Sequence, residues 1–419
     1  MAKKKRRKRK RPSRPRPDQK VILQRVKEEE RITEKKPKKI LIYILPLLFL
    51  FLAVFLALHF LIPKVRVLRD RTLNVLLITL DTTRADRIGC YGYEKAETPN
   101  VDSLAFAGVQ FSNTYCQVPL TFPSHCSILT GTYPIYHQVH NNGTYYLSPD
   151  ILTLAEILEN KGFSTAAFVR SFTVDSRFGL SQGFEFYDDK FSDEEVFKAL
   201  HSERRAEKVY TSFSVWLDEH GTEQFFCWVH FFDPHLPYDP PSPFKEKFLE
   251  SPYDGEIAYM DHYIGKIIEK LREKNILNKT LIILAGDHGE ALGEKKEVDH
   301  GVFLYDVTMK VPLIFYAENS LPRGKVVRSR VRLIDLMPTV LDILDIPAEE
   351  EIQGESLLPY IEGKRKEDLS SYIETYYPKE NYGWSELIGL IDGDWKYIKA
   401  PKEELYNLRR DPKEEKNLF

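Results

Sequence analysis

The residues best placed to do chemistry in this 419-residue chain lie in the stretch Val118-Pro-Leu-Thr121-Phe-Pro-Ser-His125-Cys126-Ser-Ile-Leu-Thr-Gly131. Pro123 fixes its own φ and pushes Phe122 out of the helical region. The spacing predicts a bend at Thr121 and a helix that starts near Pro123 and Ser124. Thr121 then projects from a helix N-terminus, where unpaired amides and the dipole favour an anion. A nucleophilic oxygen in that place suits attack on a phosphate or sulfate group. Asp81 stands just past the apolar run 74–80, where open α/β sheets place their ligands. Asp287 and His288 follow a second such run, 280–286, and an adjacent Asp and His suit a hard or borderline cation with mixed O/N ligands. His235 sits between prolines at the end of the apolar run 225–232, which favours a functional role over a structural one.

These segments resemble the signatures of the sulfatase family, in the alkaline phosphatase superfamily. The nucleophile stretch is similar to Cys/Ser-x-Pro-Ser-Arg followed by Leu-x-Thr-Gly, with Thr121 at the nucleophile and His125 at the arginine. Asp81-Thr82-Thr83-Arg84 is similar to Asp-Asp-x-Arg, but Thr82 replaces the second aspartate, so one metal-bound carboxylate is lost or replaced. Thr98-Pro-Asn-Val-Asp-Ser-Leu-Ala, Asp233-Pro-His-Leu-Pro-Tyr, the run from Asp299-His300-Gly301 to Lys310-Val-Pro-Leu, and the tail Leu405-Tyr-Asn-Leu also match the family. The likeness extends from residue 74 to the C-terminus and is poor over 168–224.

The resemblance implies one divalent cation (Ca, Zn or Mn) held by Asp81, Asp287, His288 and the Thr121 oxygen. It implies catalytic roles for Thr121, His125, His235 and His300, with His235 or His300 protonating the leaving group or positioning water. A second ion would need His235 and His300 as ligands. Arg84, Arg170 and Lys310 are the expected anion contacts. Arg170 stands where the family carries the Gly-Lys-Trp-His segment that supplies a lysine and a histidine to sulfate. Threonine cannot become the formylglycine of sulfatases, so the expected substrates are phosphoric rather than sulfuric esters. The alternatives are a transferase moving phosphoethanolamine or phosphoglycerol onto envelope glycans or lipids, and a binding module without catalysis.

The elements that must hold these residues follow from pattern. Apolar runs at 74–80, 164–170, 225–232, 280–286 and 311–316 read as buried strands, and 153–161, 191–217, 253–274 and 331–344 as helices. With these runs, the resemblance implies an α/β fold: a central, mostly parallel, alkaline-phosphatase-like sheet flanked by helices, then a small antiparallel subdomain at the C-terminus. Before it, residues 40–62 are almost wholly apolar and long enough to span a bilayer. The first 39 residues carry 19 Lys and Arg against 5 Asp and Glu, leaving 41 against 57 for the rest. That asymmetry places the N-terminus in the cytoplasm and the later residues outside. The expected organisation is a basic tail (1–39) with a short helix over 21–34, a transmembrane helix (40–62), a linker (63–73), a catalytic domain (74–360) and a C-terminal subdomain (361–419). The expected partners are membrane lipid through the anchor and an anionic ester, an envelope glycan or lipid among the candidates. No nucleic acid is expected, and the oligomeric state stays open. The four cysteines lack metal-knot spacing; a disulfide is possible outside the cytoplasm, though buried free thiols are the simpler reading.

Overall fold

The computed structural model describes residues 17–33, 44, 48, 51, 67–169, 171–189 and 205–419. The chain divides into two compact units, residues 1–64 and 65–419. In the first, a helix spans Pro17–Thr33, close to the expected 21–34. The expected membrane span, 40–62, lies outside the described residues except for three isolated positions. Among the described residues no helix is long and apolar enough to cross a membrane.

The second unit is built on a nine-stranded sheet in the order β4-β3-β5-β1-β6-β7-β2-β8, with β9 beside β2. Its strands are β1 (Asn74–Leu80), β2 (Val109–Tyr115), β3 (Ser164–Phe168), β4 (Phe186–Asp188), β5 (Phe225–Phe231), β6 (Thr280–Gly286), β7 (Lys310–Tyr316), β8 (Lys325–Val327) and β9 (Val331–Arg332). Only β7 runs against the others, because it is antiparallel to both β6 and β2. Every residue of β1, β5 and β6 is buried, as expected for central strands covered on both faces. Alternate residues feed two cores. Leu77, Trp228 and Ile283 face one, which contains Phe122, Cys126 and Leu129 of the helix Thr121–Thr130. Leu76, Ile78 and Val229 face the other, with Val101, Phe213 and Ile264 from the helices Pro99–Ala107, Ala206–His220 and Pro252–Glu273.

Four strands form the antiparallel C-terminal sheet: β10 (Ser371–Thr375), β11 (Leu387–Asp392), β12 (Trp395–Lys399) and β13 (Glu404–Asn407). It is fastened by Lys396, a fully buried lysine that reaches Asp306 Oδ1 at 2.5 Å and Glu414 Oε1 at 2.7 Å. One expected helix is shorter than its pattern suggested. Residues 331–332 form β9, and the helix proper is Leu336–Ile343. Arg332 and Asp335 explain the break, since Asp335 accepts from both the backbone and the guanidinium of Arg332. The expected helix over 191–217 is seen only as Ala206–His220, its first part lying outside the described residues. All four cysteines are free thiols, and Cys116, Cys126 and Cys227 are buried.

Candidate active site

Three parallel strands end together and set the site. Leu80 pairs with Phe231 of β5 and with Gly286 of β6, so Asp81 and Asp287 emerge side by side. Thr82 follows with φ +48°, an unfavourable conformation for a β-branched residue. It is held by its amide on Asp287 Oδ1 (3.2 Å) and by its carbonyl on the Tyr253 hydroxyl (2.6 Å).

The helix that carries Thr121 starts at Thr121 itself, two residues earlier than Pro123 suggests. A proline in the first turn is tolerated because its missing N–H has no intrahelical acceptor there. The free amide of Phe122 is taken by Asn142 Oδ1 at 2.9 Å, and the Ser124 hydroxyl donates to Asp287 O at 2.7 Å. Thr121 Oγ1 then lies 3.3 Å from Asp81 Oδ2 and 3.3 Å from His288 Nε2.

Asp81, Asp287 and His288 are fully buried, and each offers one atom within 4.8 Å of the others. His288 Nδ1 faces Gly289 O at 3.0 Å, so it carries the proton and leaves Nε2 a free lone pair. Burial, aided by the charge of His300, pulls the His288 pKa down to about 3. Asp81 Oδ1 and Asp287 Oδ2 accept no hydrogen bond. Burial and the neighbouring Asp81 charge push the Asp287 carboxyl well up. Burial also opposes ionisation of Asp81, but hydrogen bonding from His230 and the nearby histidine charges outweigh it and hold its pKa down. Two buried carboxylates with orphaned oxygens, a bare imidazole nitrogen and a hydroxyl are a fitting donor set for a divalent cation.

A second group adjoins it. His235, Asp299 and His300 also bring one atom each within 4.8 Å, and the rings of His288 and His300 are 4.3 Å apart. His300 Nδ1 lies 2.6 Å from Asp299 Oδ1 and 3.4 Å from Glu290 Oε1. Burial disfavours charge on this ring, yet the Glu290 and Asp299 carboxylates prevail and raise its pKa well above the usual histidine value. His235 stacks on Phe232 at 4.4 Å, with Nδ1 on Leu236 O.

The structure moves three of the expected residues away from the reacting centre. His125 is wholly buried behind Thr121, with Nδ1 on Thr121 O at 2.7 Å and Nε2 on Thr79 Oγ1 at 3.0 Å. Both nitrogens are taken, so His125 is a positioning residue. Arg84 spends its guanidinium on Asp86, Glu294 and Glu290 O. With Lys310 it lines a separate cleft of about 870 Å³ that includes none of the groups around Thr121. Arg170 lies outside the described residues.

Sequence reasoning missed the layer beneath Thr121. Thr79 Oγ1 accepts from Trp228 Nε1 at 2.9 Å and also meets His125 Nε2 and His230 Nδ1, the latter at 2.9 Å. His125 must donate from Nδ1 to a carbonyl, so its Nε2 accepts the Thr79 proton, and Thr79 in turn accepts from His230 Nδ1. His230 Nε2 lies 3.3 Å from Asp81 Oδ2, a contact that becomes a hydrogen bond when His230 carries a proton on both nitrogens. The signal was present: Thr79 and His230 are polar residues in otherwise apolar strands, and they are register partners.

A sequence model of the sulfatase family matches residues 73–346, and one for the C-terminal part of N-sulphoglucosamine sulphohydrolase matches 293–419. The chain is 24% identical to an arylsulfatase of Clostridium perfringens over 83% of its own length and 90% of that protein. It is likewise 24% identical to a Delta 4,5-hexuronate-2-O-sulfatase of Bacteroides thetaiotaomicron, over 82% and 84%. Among solved structures, the phosphonate monoester hydrolase of Agrobacterium radiobacter superposes with a TM-score of 0.71 at 21% identity, covering 83% of this chain and 91% of that one. The sulfatase match over 73–346 includes the strand ends that carry Asp81 and Asp287 and the helix that starts at Thr121. The chain belongs to the sulfatase family of ester hydrolases.

Proposed function

We propose that the chain is a membrane-anchored, metal-dependent hydrolase that cleaves phosphoric esters, in preference to sulfuric ones, through a covalent Thr121 intermediate. The observation that carries this reading is the Thr121 hydroxyl, 3.3 Å from both Asp81 Oδ2 and His288 Nε2 at the start of a buried helix. Asp81, Asp287, His288 and Thr121 would hold the cation. A divalent ion in such a set lowers the pKa of an alcohol and offsets charge on the ester oxygens. The chain's own residues do the rest. Thr121 donates its hydroxyl proton toward Asp81 Oδ2, its oxygen bonds to phosphorus in line, and the bond to the ester alcohol breaks. His300, held protonated by Asp299 and Glu290, gives a proton to the departing oxygen. It then takes one from the water that attacks the phosphothreonine, and the bond from phosphorus to Thr121 Oγ1 breaks as Thr121 recovers its proton from Asp81. His230, Thr79 and His125 keep Asp81 and the first turn of the helix in register.

The apolar run at 40–62 and the basic residues before it support a single span with the catalytic unit outside the cytoplasm. An envelope glycan or lipid ester is the substrate class that such a placement favours. Aryl phosphomonoesters, phosphodiesters and sulfates offered to the purified protein test the reading. A phosphoester should turn over faster than the matching sulfate, Thr121→Ala should abolish turnover, and Thr121→Ser should retain part of it. A wild-type preference for sulfate, or a fully active Thr121→Ala, would refute it.

A further inference from the structure

The apolar run that ends at residue 62 is followed closely by residues bonded to the catalytic unit. Val67 N donates to Glu362 Oε1 at 3.4 Å, Leu68 N to Ser320 O at 3.0 Å and Asp70 N to Ile343 O at 2.9 Å. Arg69 and Arg71 reach Asp342 and Asp345, each at 2.6 Å. Val67 itself is buried. Only the four residues 63–66 separate the end of the run from this anchorage. From residue 62 to Val67 the chain reaches at most about 18 Å when fully extended. About 6 Å of that reach lies within the headgroup layer of a bilayer.

The anchorage lies at the end of the sheet opposite the site. β1 starts at Asn74, directly after it, and runs parallel to β5 and β6. Tyr316, the last residue of β7, pairs with Ile282 near the start of β6, and Ser320 lies just beyond it in the chain. Asp81, Asp287 and His288 follow the other ends of β1 and β6. The seven residues of β1 alone span about 23 Å. Laid rim-down on its own membrane, the unit would hold Val67 at least a strand length above the headgroups. That is roughly twice the reach left beyond them.

We propose that the catalytic rim points away from the membrane that anchors the chain, so that lipids of that membrane are not its substrates and the ester arrives from the aqueous side. The inference rests on the proposed span at 40–62 and narrows the substrate class by removing the lipid ester. A long flexible linker would leave both sources open, because its end-to-end distance grows with length and lets the unit turn over. Here residues 67–71 are committed to the unit itself. Turning the rim to the headgroups would require them to leave Glu362, Ser320, Asp342, Ile343 and Asp345 together.

Energy transfer in the full chain, reconstituted into phosphatidylcholine vesicles, tests the orientation. Phe106 is 77% exposed and just precedes β2, whose first residue pairs with Phe315 near the end of β7, so it marks the tethered end. Val298 is 65% exposed, two residues before His300, and marks the rim. Phe106→Cys and Val298→Cys each carry one fluorophore, in a Cys90→Ser background because the other three cysteines are buried. A dye on lipid headgroups is the acceptor. The label replacing Phe106 should lie closer to the membrane by about 20 Å, close to a strand length, and transfer more strongly. Equal transfer, or stronger transfer from the label replacing Val298, overturns the orientation. Carbonate extraction of the same vesicles reads the span separately. A chain that is stripped refutes the span and the orientation with it; a retained chain with the wrong order of transfer refutes the orientation alone.

Discussion

Thr79→Val removes one oxygen from a fully buried junction and keeps the side-chain shape. The hydroxyl serves Trp228 Nε1 at 2.9 Å, His125 Nε2 at 3.0 Å and His230 Nδ1 at 2.9 Å. All three partners are 0% exposed, so water cannot replace the lost contacts. An orphaned buried polar group costs about 1–3 kcal/mol. Three of them, sharing one centre and not strictly additive, predict a loss of roughly 3–6 kcal/mol. That is a large part of the roughly 5–15 kcal/mol that holds a typical domain together. Urea unfolding should show the midpoint falling at unchanged slope. Thr79→Ser, which restores the oxygen, should recover most of the loss. Turnover should fall in Thr79→Val even where the protein is folded, because His125 steadies the Thr121 carbonyl and His230 the Asp81 carboxylate. A Thr79→Val protein within about 0.5 kcal/mol of the native chain, the usual scatter of neutral surface changes, would refute the donor–acceptor chain inferred beneath the nucleophile.

Asp287→Ala should lower bound divalent metal by one ion per chain and abolish turnover, as atomic absorption and an ester assay would show; undiminished occupancy would rule out the ligand set. Lys396→Met leaves Asp306 and Glu414 without their shared cation and should cost about 3–5 kcal/mol, read as a lowered unfolding midpoint. Burial is the main cause that pushes the Asp233 carboxyl up to about 7 and Glu256 to about 8. The native state therefore holds protons that the unfolded chain has already lost. The stability these two groups contribute should fall as pH rises from about 5 to 8, so the native chain should lose stability relative to Asp233→Asn over that range, as urea unfolding at several pH values would show. A reporter active only in the cytoplasm, fused at the C-terminus, should stay silent; a signal would overturn the proposed topology.

What the sequence disclosed of this site was its strand ends. Asp81, Asp287 and His288 lie immediately after continuous apolar runs, and a buried parallel strand ends where its apolar run ends. Thr121 was legible because proline chemistry is local. His230 and Thr79 were not, because their meaning depends on which strands become neighbours, and β5 and β1 are about 150 residues apart in the chain. Arg84 shows the opposite failure. Its motif is local, but Asp86 and Glu294 claim the guanidinium, and nothing in the spacing says which carboxylates will be nearest. The helix expected over 331–344 loses its first residues to a distant partner, since Val331 and Arg332 pair with Thr114 and Tyr115 of β2.

The buried Lys396 has a consequence for how the molecule comes into being. Its two carboxylates lie on either side of it in the chain, Asp306 about ninety residues before and Glu414 about twenty after. Glu414 also receives the Asp306 amide at 2.7 Å. A growing chain that has completed every strand of both sheets still lacks that acid. Until it arrives, the lysine cannot be buried with both partners, and the segment around Asp306, only a few residues beyond His300, has one of its amides unmet. Completion of the catalytic rim thus waits on residues made after it. A nascent chain that stops short of Glu414 would present that rim with the Asp306 amide and the Lys396 ammonium each short of a partner.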